Sequence, residues 1–221
     1  MTSVDIRLYG IIDPQIARGR PLHELVLAAV QGGATLIQYR DKTSDTRPMI
    51  EQARAIKNVL AGTSVPLLIN DRIDVALASG AEGVHIGQSD MYAQDARHIL
   101  GASAIIGLTV NNAINAEECS KLPVDYACIG SVFPTNSKDD AGASIGLDGF
   151  SKLARQIRSR QPFLPVGAIS GINHKNAASV IEAGSDGIAI ISALFSPDDI
   201  TSAAQSLNEV ITKAFQAQHN Q

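Results

Sequence analysis

A chain of 221 residues with 45% hydrophobic content can bury one sizeable core, which suits a single domain over residues 1–221. A formal charge of −4 and a pI near 5.7 argue against a general nucleic-acid or membrane-surface binder. Aromatic residues are few and small aliphatics plentiful, as in α/β proteins whose strands are covered on both faces.

A short apolar strand spans Ile6 to Ile12. Pro21 precedes a helical pattern with Leu22, Leu25, Val26, Ala29 and Val30 on one face, stopped by Gly32-Gly33. Thr35 to Lys42 reads as a strand that begins apolar and ends polar. Alternation puts Leu36, Gln38, Arg40 and Lys42 on one face and Ile37 and Tyr39 on the other. An amide, a guanidinium and an ammonium in a row predict an anion site at the strand's end; the plain alternative is a solvated edge strand. Ser44 can cap the next helix, through Met49, Ile50, Ala53, Ile56 and Leu60. Val65 to Ile69 is a third strand, ending in Asn70-Asp71-Arg72, and Ile73 to Ser79 a helix closed by Gly80. Gly83 to Gly87 is a fourth strand, ending in Gln88-Ser89-Asp90. Met91 to Leu100 is helical, Ala104 to Leu108 is the fifth strand with Thr109 after it, and Asn115 to Leu122 is helical. Tyr126 to Phe133 is the sixth strand, followed by a loop from Pro134 to Leu147. Asp148 can cap the helix that reaches Arg160. Leu164 to Ile169 is the seventh strand, with Ser170-Gly171 after it, and Asn173 or His174 opens the helix ending at Gly184. Gly187 to Ile191 is the eighth strand. Asp198 or Asp199 opens the last helix.

Eight strand–helix units with short apolar strands predict parallel pairing by right-handed crossovers, closing into a (β/α)8 TIM barrel; an open doubly wound sheet is the alternative. Cys119 and Cys128 have no metal-ligand spacing and do not form a secreted disulfide framework. The N-terminus lacks a signal-type apolar run, and no stretch reaches the roughly 18 apolar residues of a spanning helix, so the expected location is cytoplasmic. A homo-oligomer is left open.

In this fold, sites lie at the C-terminal ends of the strands. Polar residues gather at those ends, whereas the strand beginnings look plain. Asp71 and Asp90 follow adjacent strands, and beside Arg40 and Lys42 they suit Mg2+ shared with a phosphate. Alternatively, each aspartate caps its following helix. Thr135, Ser137 and Lys138 bring two hydroxyls and an ammonium to a long loop, either a phosphate-binding lid or a plain polar loop. Gly171, Ile191 and Ser192 end strands seven and eight, where barrels commonly hold phosphate on backbone N–H groups. His85 reads as a hydrogen-bonded structural residue. No nucleophile elbow, Cys-x-x-Cys or His-Glu-x-x-His occurs. Anion-binding groups without acid–base groups point to stabilisation of a phosphorylated leaving group.

The segments Gln38-Tyr-Arg-Asp-Lys42, Leu68-Ile-Asn-Asp-Arg72, Gly83-Val-His-Ile-Gly-Gln-Ser-Asp90, Phe133-Pro-Thr-Asn-Ser-Lys138 and Ala168-Ile-Ser-Gly-Ile172 resemble the thiamine-phosphate synthase family, in the family's order. The resemblance implies joining of 4-amino-2-methyl-5-hydroxymethylpyrimidine diphosphate to a thiazole phosphate, with diphosphate leaving first. It implies that Gln38, Arg40, Lys42, Asn70 and Lys138 hold the pyrimidine diphosphate. Thr109 would contact the pyrimidine, and Arg40, Lys42 and Lys138 would act in catalysis. Asp71 and Asp90 would carry Mg2+, and Thr135, Ser137, Gly171, Ile191 and Ser192 would hold the thiazole phosphate. Thr109 stands where the family usually has serine, Ser170 replaces the first of two glycines, and Ser131 stands where proline is common. A thiazole tautomerase, or a barrel that binds a phosphorylated ligand without catalysis, are the competing readings.

Overall fold

The computed structural model describes residues 4–135 and 143–219. The chain runs β1 (Leu8–Ile12), α1 (Pro14–Ala17), α2 (Leu22–Gln31), β2 (Leu36–Tyr39), α3 (Thr46–Leu60), β3 (Leu67–Asn70), α4 (Ile73–Ser79), β4 (Gly83–Ile86) and α5 (Ala93–Leu100). It continues through β5 (Ile105–Val110), α6 (Ala113–Cys119), β6 (Tyr126–Ile129), α7 (Gly146–Arg158), β7 (Val166–Ile169), α8 (Ala177–Glu182), β8 (Gly187–Ile190), α9 (Ser192–Phe195) and α10 (Ile200–His219). The strands pair in sequence order, all parallel, and β8 returns to β1, which closes the barrel. Ile37 and Tyr39 face the helices, while Leu36 packs inside with Tyr9, Leu68 and Tyr126, as two-residue alternation requires.

Several boundaries differ from the sequence reading, each for a local reason. Ser44 does not cap α3: its N–H donates to Asp41 Oδ1 at 2.9 Å, and Asp45 takes the N-cap position. Asp148 lies in the first turn of α7, where it suits the helix dipole, and Ile145 is the N-cap. Asn173 closes a turn with Asn176 before α8 begins at Ala177. Asp199 does open α10, accepting from the Ser202 N–H at 2.9 Å. α1 and α9 fall in segments read as connections.

The strand beginnings are not plain. Glu82, Asp125 and Asp186 stand just before β4, β6 and β8, and their carboxylates accept the N–H of Leu67, Ile106 and Val166 at 2.8, 2.7 and 2.7 Å. Each also pairs with a cation from a preceding helix: Lys57, Arg97 and Arg158 respectively. Three carboxylate–cation clamps thus tie neighbouring strands at the N-terminal rim and leave the opposite rim for the site. Inside the barrel, Gly107 makes room for a large neighbour: a Cβ there would overlap the Tyr126 ring.

Candidate active site at the C-terminal rim

Arg40 and Lys42 leave the end of β2 on a turn built around Asp41. The Asp41 carboxylate accepts the N–H groups of Thr43 and Ser44, each at 2.9 Å, and the Tyr39 hydroxyl at 2.9 Å. Burial would raise its pKa, but these donors outweigh it and hold Asp41 down at about 2. Arg40 donates through Nη1 to Asp13 Oδ2 at 2.5 Å, and the other Asp13 oxygen caps α1 by accepting the Gln15 N–H at 2.9 Å. Lys42 donates to Asp71 Oδ2.

Asp71 has φ of 60°, a left-handed conformation that aspartate tolerates better than most residues. Its N–H donates to the His85 carbonyl at 2.9 Å, tying the end of β3 to β4. Neither predicted metal aspartate caps a helix: Arg72 is the N-cap of α4, and Asp90 Oδ2 accepts the Gly87 N–H at 2.7 Å. Burial pushes the Asp71 carboxyl above its ordinary range; Lys42 pulls it back, and the facing Asp90 carboxylate raises it further. Arg40, Lys42, Asn70, Asp71, Asp90 and Thr109 line one basin of about 350 Å³.

Gln38 lies beneath this basin, 1% exposed, not in its wall. Its Nε2 donates to the Tyr9 hydroxyl, which bonds the Tyr126 hydroxyl at 2.8 Å. Tyr126 meets His85 Nδ1 at 2.8 Å, and His85 Nε2 meets Thr109 Oγ1 at 2.8 Å. One donor assignment satisfies the whole chain: Gln38 gives to Tyr9, Tyr9 to Tyr126, Tyr126 to Nδ1, and Nε2–H to Thr109. That leaves the Thr109 hydroxyl hydrogen outside the chain, on a residue that lines the basin. His85 is the hydrogen-bonded residue that the sequence suggested. Tyr9, Tyr126, Asp13 and Asp41 were missed; a phenol within a short apolar strand is the available signal, since a buried tyrosine hydroxyl needs a partner.

A second basin, about 420 Å³, opens above β7 and β8 between Thr135, Gly171, Ile191 and Ser192, with no charged side chain among its described lining. Ile169 and Ser170 border both basins. Gly171 has φ of 66°, and a Cβ there would come within 2.7 Å of Phe133 Cβ, so this turn seats the segment leading to Thr135. Ser137 and Lys138 lie outside the described residues.

This is the layout of a (β/α)8-barrel enzyme whose polar groups converge above the strand ends. The chain belongs to the thiamine monophosphate synthase family, whose family model matches residues 8–194. It is 52% identical to the thiamine-phosphate synthase of Agrobacterium fabrum, over 98% of this chain and 99% of that one. It is 42% identical to the thiamine-phosphate synthase of Chloroflexus aurantiacus, over 95% and 94%. A solved thiamine phosphate pyrophosphorylase from Pyrococcus furiosus superposes with a TM-score of 0.85 at 37% identity, covering 96% of this chain and 98% of that one.

Proposed function

We propose that this barrel is a thiamine-phosphate synthase, a transferase joining the aminopyrimidine methyl diphosphate to a thiazole phosphate. The observation that carries this reading is adjacency: a basin holding Arg40, Lys42, Asp71 and Asp90 shares a wall with a second basin whose described lining carries no charge and which suits a second ligand. Arg40 and Lys42 exchange Asp13 and Asp71 for the oxygens of the diphosphate, with Lys138 as a third cation and Asn70 as a donor. Gln38 and Thr109, joined by the buried chain, set the pyrimidine's orientation.

Asp71 and Asp90 fit a divalent cation. Two carboxylates face each other with Lys42 as the paired cation, and burial has already raised Asp71. Bound Mg2+ supplies charge neutralisation on the departing diphosphate. The methylene C–O bond breaks, the diphosphate keeps the electron pair, and the thiazole nitrogen lone pair forms the new C–N bond. No proton moves, which agrees with a site whose histidine has both ring nitrogens engaged. Thr135, Ser137, Gly171, Ile191 and Ser192 hold the thiazole phosphate, so that the nucleophile is aimed before the bond breaks.

The test is thiamine phosphate formation from both substrates with Mg2+ and with chelator. Metal-dependent product supports the proposal. Isomerised thiazole without joining would mark a tautomerase, and ligand binding with neither product a non-catalytic barrel. The cation–carboxylate basin favours the synthase, because an isomerase has no use for a diphosphate grip. Work in the cytoplasm accords with two buried cysteines outside any disulfide, and among the described residues no helix is long and apolar enough to cross a membrane.

A further inference from the structure

Ser131 and Ser170 stand at the loops after β6 and β7, and both occupy left-handed backbone, with φ of 54° and 89°. A serine in that region is uncommon, and two facing each other across a site need a local reason. The Ser131 N–H donates to Ser170 Oγ at 3.2 Å. Two backbone bonds continue the contact: Val132 N–H to the Ile169 carbonyl at 3.3 Å, and Phe133 N–H to the Ser170 carbonyl at 3.1 Å. The Ile145 N–H returns to the Ser131 carbonyl at 2.8 Å, so Ser131 holds both stems of the loop that carries Lys138. Ser170 borders both basins, and its hydroxyl hydrogen has no acceptor among the described residues.

A hydroxyl has one hydrogen to give. With the Ser131 amide supplying a bond to Oγ, that hydrogen is left for a ligand oxygen at the shared wall. We propose that Ser170 is a ligand-contacting donor to the phosphorylated acceptor in the basin above β7 and β8, and that Ser131 is the positioning residue that orients it. This rests on the synthase reading for the identity of the acceptor. The side chain adds a donor where the described lining otherwise offers backbone groups, neutral hydroxyls and the Asn173 amide, and one bond to a charged oxygen corresponds to about a tenfold change in affinity.

The experiment compares the native protein with Ser170→Ala, Ser170→Gly and Ser131→Gly. KM for each substrate and kcat are measured, with isothermal titration of thiazole phosphate and of inorganic phosphate as a separate arm. Ser170→Ala should raise KM and Kd for thiazole phosphate about tenfold, with KM for the pyrimidine diphosphate and kcat within about twofold. Ser170→Gly should do the same although glycine suits φ of 89° better and melting is no lower. Ser131→Gly keeps the amide donor at a φ of 54° that glycine adopts freely, so Kd for thiazole phosphate should stay within about twofold, and a tenfold rise would overturn the positioning role of the Ser131 amide. Unchanged Kd in both Ser170 variants overturns the proposal, as does an equal rise in KM for both substrates. If the native protein binds thiazole phosphate but forms no thiamine phosphate, the synthase reading fails while the Kd comparison still decides the role of Ser170. If it binds none, both fall.

Discussion

Arg40 Nη1 lies 2.5 Å from Asp13 Oδ2, an ion pair between the ends of adjacent strands β2 and β1 that is mostly shielded from water. The pair holds the guanidinium in the wall of the basin. Arg40→Ala should lower kcat/KM for the pyrimidine diphosphate by about 100-fold or more, with little change in melting temperature. Asp13→Asn keeps the cation but loosens it, so the loss should be smaller, about three- to tenfold. Steady-state kinetics beside a thermal melt separate the two. An Arg40→Ala protein with native turnover would end the diphosphate assignment.

Asp90 meets Asp71 and accepts the Gly87 N–H. Asp90→Asn retains that backbone bond but halves the carboxylate charge available to a metal. The Mg2+ concentration for half-maximal joining should rise at least about tenfold, while the fold is preserved. A magnesium titration of initial rates reads this directly.

Tyr126→Phe tests the buried chain with almost no change in volume. Without the hydroxyl, Tyr9 OH and His85 Nδ1 each lose a partner in the interior. Denaturant unfolding should show a loss of about 1–3 kcal/mol. With the orientation of Thr109 released, KM for the pyrimidine diphosphate should rise more than KM for the thiazole phosphate.

The Asp41 turn carries a pH signature. Its folded pKa, about 2, lies below the ordinary aspartate value of about 3.9. Its contribution to stability is therefore present above about 3.9 and is lost as pH falls through about 2. At pH 7, Asp41→Asn should melt below the native protein. The gap between the two should shrink progressively on acidification below about pH 4. A gap that widens in acid would contradict the turn's role.

The barrel was legible because buried parallel strands write themselves as short apolar runs, and because polar residues crowd the strand ends: Arg40, Lys42, Asp71, Asp90 and Thr109 do meet at one basin. What escaped notice was of another kind. Asp13 and Asp41 act through the backbone N–H groups and ions they fix, which no spacing rule exposes. Glu82, Asp125 and Asp186 each look like one isolated charge; their shared task appears only when β4, β6 and β8 are seen to begin the same way. Gln38 has the alternation that points it inward, yet the interior at that height is occupied by Tyr9, so its amide ends in a phenol beneath the basin.

Gly107 lines neither basin, yet the aromatic ring of Tyr126 stands where its side chain would have been. A single methyl at 107 would displace that ring, and with it the hydroxyl that meets His85 Nδ1. The contour of the pocket floor is thus written partly by an omission on a neighbouring strand, and any lineage that enlarges residue 107 must reshape residue 126 in the same step.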